Sequence, residues 1–203
     1  MNKHAGDGVD LRVLDGQRGT AGEAAEAAGV ERVLPVYDAT VFVGLRTIVI
    51  NAAIERTEDD GEVTIELPKP HELVAAAAVA RCLMPIRLRG SEMRAMRKIM
   101  KLTLADLAKR LDERTAGPTV ARWESEAQPM GSYAEKLFRL IVCEELKGDA
   151  PGVDYSAGAI VGMKVGEWRG DPNCEPPTVV LSLVQLKEQG GPIIEAWNVK
   201  QAA

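Results

Sequence analysis

A chain of 203 residues, 46% of them hydrophobic, can pack one domain or two small ones. It has no run of the roughly 18 apolar residues that a membrane helix needs, and its first thirty residues are acidic and rich in Gly and Ala, unlike a secretory signal. A soluble, cytoplasmic protein without a membrane partner is therefore expected. Cys82, Cys143 and Cys174 form no CxxC pair, and His4 and His71 are the only histidines, which argues against a zinc knuckle, a disulfide framework or a Ser/His/Asp relay. No metal or other cofactor is expected, and the chain is not read as an enzyme.

The whole-chain charge of −5 speaks against a nucleic-acid partner, but the charge is unevenly placed. Residues 81–123 hold eleven Lys and Arg against four acidic residues, +7; residues 1–80 hold seven against fourteen, −7; residues 124–203 hold seven against twelve, −5. A basic segment between acidic ones is the footprint of a DNA-binding element, because phosphates respond to the surface that faces them. A solvated helical face would give the same pattern.

In chain order, residues 1–34 carry few large apolar groups and read as a mobile tail, with Glu23 to Ala28 able to form a turn or two of helix. Residues 35–86 read as a small β domain plus a helix. The β-branched runs at 36–45, 46–60 and 61–68 predict three strands of an antiparallel sheet, with Asp59-Asp60-Gly61 as a hairpin turn. Pro68 and Pro70 stop strand pairing, and the Ala-rich stretch 71–84 predicts a helix that His71 helps to start.

Residues 87–147 predict an all-α unit of four to five helices. Ser91 is a candidate N-cap for a helix running to about Lys101, with Met93, Met96, Ile99 and Met100 on its apolar face. Thr103 and Asp106 form a T-x-x-D capping box ahead of Leu104, Leu107, Ala108 and Leu111. Gly117-Pro118 opens a third helix, since proline's missing N–H costs nothing in a first turn, and Leu137, Leu140, Ile141 and Leu146 mark a fourth. Residues 148–203 read as a C-terminal β-rich extension with strands at 159–165, 177–186 and 192–199. It could dimerise, bind a protein, sense a ligand or complete the fold; Trp168 and Trp197 read as core and the cysteines as buried thiols. The fold class is α+β: an N-terminal antiparallel β unit, a central helix-turn-helix domain and the C-terminal extension.

Two helices joined by a short turn form a helix-turn-helix, whose second helix is narrow enough for the major groove while helix N-termini and nearby Lys or Arg hold phosphates. Arg97, Lys98, Leu102-Thr103, Leu107-Ala108, Leu111 and Val120-Ala121-Arg122-Trp123-Glu124 resemble the XRE, or lambda-repressor-like, helix-turn-helix family. Upstream, Gly44-Leu45, Arg46 to Glu55, Thr57 to Gly61, Glu66-Leu67-Pro68 and Glu72-Leu73 follow the order of YgiT/MqsA-type antitoxin regulators, in which a zinc-binding β domain precedes the XRE module. The match covers residues 36–147. Thr57 and Asp60 stand where that family has two cysteines, so zinc is not expected here.

The resemblance implies that Gly117, Pro118, Thr119 and Arg122 face the groove, with Arg122 reaching a base or a phosphate. The turn Asp112 to Ala116 is about two residues longer than the common pattern, which brings in Arg114 and Thr115. Thr103 caps its helix, and its neighbouring N–H groups could meet a phosphate. Arg94, Lys98, Lys101 and Gln128 are candidate backbone contacts, and Arg97 with Glu124 is a structural pair locking one helix to another. The expected function is a sequence-specific transcriptional regulator of double-stranded DNA, a homodimeric repressor acting on a palindromic operator of its own or a neighbouring operon. The alternative is an antitoxin-like protein that binds a toxin or another protein through its β regions.

Overall fold

The computed structural model describes residues 30–58, 60–166, 175–187 and 192–200. The α+β expectation holds: seven helices and five strands make up the described residues. Strand β1 (Val30–Asp38) is the first element among the described residues, so residues 30–34 of the predicted tail belong to regular structure. The predicted helical turn at 23–28, His4, Asp59, Trp168 and Cys174 lie outside the described residues.

The run at 36–45 is not one strand. β1 ends at Asp38, whose Oδ1 accepts the Thr40 N–H at 2.9 Å and turns the chain into a short helix α1 (Thr40–Val43). Gly44, at φ +76°, closes that turn by donating its N–H to the Thr40 carbonyl, a left-handed conformation that glycine adopts without penalty.

Strand β2 (Thr47–Thr57) is the spine of the sheet. β1 pairs antiparallel along one edge of it; β3 (Val63–Glu66) pairs antiparallel beside its second half, closing the predicted hairpin. Beside its first half lies β4 (Val179–Lys187), pairing in parallel from Thr47–Val179 to Ile50–Ser182, and β5 (Ile193–Val199) follows antiparallel to β4. The expected all-antiparallel N-terminal sheet is therefore mixed, and the C-terminal strands complete it, which is the fold-completing option among those the sequence leaves open. Strand β1 accommodates Pro35 at the one point where its register with β2 shifts, opposite Asn51, which takes φ +51°. Proline cannot donate to a ladder, and an edge strand at a bulge is where a sheet tolerates it.

Helix α2 (Pro70–Leu83) lies between the sheet and α6 (Ser132–Leu146), and its positions from Ala75 to Cys82 are all buried. Alanine suits a helix packed on every side, since small side chains let both neighbours approach closely. The inner face of the sheet, Val49, Val179, Leu181 and Trp197, joins α2 and the helical segment in one core cluster. Trp197 is core, as expected, and Cys82 and Cys143 are buried free thiols.

The helical segment comprises α3 (Gly90–Ile99), α4 (Leu104–Leu111), α5 (Gly117–Glu124) and α6. A further departure from expectation is α7 (Ala157–Gly162), where the pattern at 159–165 reads as a strand. Ser156 accepts the Ala159 N–H at 3.4 Å and caps it, and Ile160 buries its side chain. None of the helices described is long and apolar enough to cross a membrane.

Candidate nucleic-acid interface

Helix α3 starts one residue before the expected cap: Arg89 holds the N-cap position, its N–H donating to Glu92 Oε2 at 2.7 Å, while Ser91 lies exposed inside the first turn. Gly90 explains the shift. A Cβ there would sit 2.5 Å from the Glu124 carbonyl oxygen and 2.6 Å from that of Trp123, so the start of α3 rests directly on the end of α5. The far end of α3 closes with two backbone bonds, Lys101 N–H to Lys98 and Leu102 N–H to Arg97, with Lys101 at φ +56°. This is a Schellman turn, and it points Lys101 outward while delivering Thr103 to the start of α4.

Thr103 is fully committed to capping. Its Oγ1 accepts the Asp106 N–H at 3.1 Å and donates to Asp106 Oδ2 at 2.6 Å, and its own N–H donates to the same carboxylate at 3.1 Å. These bonds hold the Asp106 carboxyl below its usual range. A carboxylate thus sits at the helix terminus where the sequence places a phosphate, and the Thr103 hydroxyl and N–H are taken up by the cap.

The turn between α4 and α5 spans Asp112 to Ala116, as expected. Asp112 organises it, accepting the Arg114 N–H on its side chain at 3.1 Å and the Thr115 N–H on its carbonyl at 3.0 Å. Arg114 is exposed and Thr115 half-buried. On α5 itself Pro118 and Arg122 are exposed, Gly117 and Thr119 half-buried, while Val120, Trp123 and Glu124 face the core. Gly117 approaches the first turn of α4, its would-be Cβ 3.6 Å from the Ala105 nitrogen.

Arg97 and Glu124 form the predicted pair. Arg97 Nε donates to Glu124 Oε1 at 2.6 Å and Nη2 to Oε2 at 3.0 Å, and Nη1 reaches the Leu102 carbonyl at 2.8 Å. The Glu124 side chain is only 3% exposed. Its hydrogen bonds raise the Arg97 pKa against the opposing effect of burial. Arg94 also leans on Glu124, Nε to Oε2 at 3.4 Å, so it is drawn toward the helix seam instead of standing free. Arg122, Arg114, Lys98 and Lys101 are exposed, and no ion pair ties their side chains among the described residues. Gln128 is exposed in the loop beyond α5, where its N–H donates to the Arg122 carbonyl at 3.3 Å.

Several of the eleven cations in the basic segment serve the interior. Arg81 is completely buried, bound to Glu92 through Nε and Nη2 and to the carbonyls of Ile86 and Arg87. Arg139, which lies outside that segment and is also fully buried, binds Glu135 and the carbonyls of Cys82, Met84 and Ile86, and Glu135 takes the Leu88 N–H at 2.9 Å. Together these four charged side chains hold the 84–88 connector between α2 and α3, joining the helical segment rigidly to the sheet side of the core. The sequence does carry a signal for this: Arg81 sits in a helix with no polar face, where an unpaired charge would not be tolerated. The exposed start of α6 also borders this surface without a motif in the sequence to mark it. It has no side-chain cap, and it presents Ser132 and an 80%-exposed Tyr133 just beyond the loop that holds Gln128.

The surface thus formed consists of α5's outward side, the Asp112–Ala116 turn, the end of α3 and the start of α6. Compared with family models, curated proteins and solved structures, the chain gives no match, and a functional reading rests on its own geometry.

Proposed function

We propose that this protein is a sequence-specific DNA-binding transcriptional regulator, acting as a dimeric repressor on a palindromic site. The observation that carries the reading is α5: a short helix locked from behind by the Arg97–Glu124 pair and the Gly90 contact, with Arg122 and Pro118 exposed on its outer side. Preorganisation of this kind lets a helix enter a major groove without further ordering cost. Arg122 would contact a base or phosphate, flanked by Arg114 on the turn and by Lys98 and Lys101 at the end of α3. One such helix reads a half-site, and a two-fold dimer supplies the second at about 34 Å, one helical turn away.

Gel-shift titration of the purified protein on the DNA upstream of its own coding sequence tests this reading. Binding that weakens steeply with added salt is expected; absence of binding even at about 50 mM salt overturns it. The competing reading, a protein that captures a partner through its β region, draws on the apolar outer face of the sheet.

A further inference from the structure

The outer face of the sheet is largely apolar, with Asp38, Ser182 and Asn198 among its polar members, although none of the described helices packs on it. Side chains alternate along each strand, so Val49, Val179, Leu181 and Trp197 point into the core while Val36, Ile48, Ile50, Val180, Val184 and Ile194 point the other way. Ala53, Leu186 and Ala196 are buried yet lie outside the core cluster, so they belong to that second apolar layer. The helices with the main contacts to the sheet among the described residues, α1 and α2, both bury their side chains on the inner side. A sheet with one wetted face reads as alternating apolar and polar; TIVI at 47–50 and VVLSLV at 179–184 instead read as strands covered on both faces.

We infer that this outer face is the dimer interface, occupied by the same face of a second copy. The choice of a second copy rests on the dimeric DNA-binding reading; the existence of the interface rests on the sheet alone. The size is adequate. Four strands abreast at about 4.8 Å, each about seven residues at about 3.3 Å, make a footprint of roughly 440 Å² per copy before side-chain relief. Two such faces with that relief included reach the range of about 1,200 Å² at which specific dimers begin. Residues 1–29 are a poorer cover, offering Val9, Leu11, Val13 and Leu14 as their only branched aliphatics among Gly, Ala, Asp and Glu. Pairing through strand edges is also disfavoured. β1 carries Pro35, and the outward carbonyl of Glu195 on β5 is already taken by Lys69 Nζ at 2.6 Å, while that of Trp197 is covered by Gly152.

Sedimentation velocity on the full chain without DNA decides the matter. A dimer is expected for the wild type, and Val36→Glu and Ile50→Glu should each raise its dissociation constant roughly a hundredfold or more, since each would bury an unpaired charge. Val36 is 60% exposed in the single chain, so V36E should keep the wild-type circular dichroism and melting temperature. Val41→Glu, at a 97%-exposed position on α1 away from this face, should stay dimeric. A monomeric wild type overturns the inference, as does a folded V36E or I50E that dimerises normally, or a chain that dimerises only after removal of residues 1–29. The DNA titration is separate: a dimer that ignores DNA refutes the regulator and leaves the interface standing, whereas a monomer that binds a half-site does the reverse.

Discussion

Arg97 and Arg122 lie on facing elements of one small module, yet their substitutions should have opposite effects. Removing Arg97 leaves Glu124 buried with only the long contact from Arg94, which costs about 3 kcal/mol by the usual behaviour of a broken buried pair. Arg122→Ala touches no ion pair, so its melting temperature should match the wild type while operator binding drops. A thermal scan and a gel shift on the two variants check both statements, and equal stability losses would show that Arg122 is structural. Tyr155 gives a titration signature. Its hydroxyl donates to Glu144, and chiefly for that reason its pKa is raised to about 12. The folded state favours the neutral phenol, so the contribution is complete below about pH 10 and is lost as pH rises through about 12. Alkaline absorbance titration should find this late tyrosine, and Glu144→Gln should return it toward about 10.

At the scale of elements, the contact between α3 and α5 controls how the exposed helix is aimed. Gly90→Ala would drive a methyl into two carbonyl oxygens, and we expect a loss of about 1–3 kcal/mol, measured by chemical denaturation. Weakened DNA binding should accompany it, because α5 must shift to relieve the clash. The elements with local signals were legible in the sequence: the Thr103–Asp106 capping box, Gly117-Pro118 at the start of α5, the Ala-rich α2 and the Arg97–Glu124 pair all stand where the residues place them. Other elements depended on information from elsewhere in the chain. The start of α3 moved to Gly90 because α5 packs against it, and α7 formed where β-branched residues suggest a strand because Ser156 caps it and Ile160 finds a buried site. The basic charge of the segment was legible as a sum, and so was the Arg97–Glu124 pair, but not the partner that buries Arg81, which is Glu92; Lys98, Lys101, Arg114 and Arg122 are among the cations left at the surface.

For the whole molecule, the decisive contact is the parallel pairing of β2 with β4, which no local pattern announces. Strands 177–186 and 192–199 were readable as strands, but parallel partners need a long crossover and leave no turn between them to mark the pairing. As a result a C-terminal extension in the sequence is a central strand and an edge strand in the fold. A chain ending at residue 176 should therefore lose cooperative unfolding altogether, since Val179, Leu181 and Trp197 leave the core with it. If calorimetry found that shortened chain melting as one sharp transition, the C-terminal strands would be an independent unit after all.

The same pairing sets an order of events during synthesis. Thr47 waits for Val179, and a ribosome adding about 5–20 residues per second needs roughly 7 to 26 s to make the chain between them. In that interval α3 to α6 can emerge and find one another through short-range contacts, while β2 has only β1 and β3 beside it and α2 lacks the strands that will cover one side. The nascent protein would thus acquire its helical module well before its sheet. A pause or premature stop in the last quarter of translation would release a chain with exposed apolar strands, a substrate for chaperones and proteases.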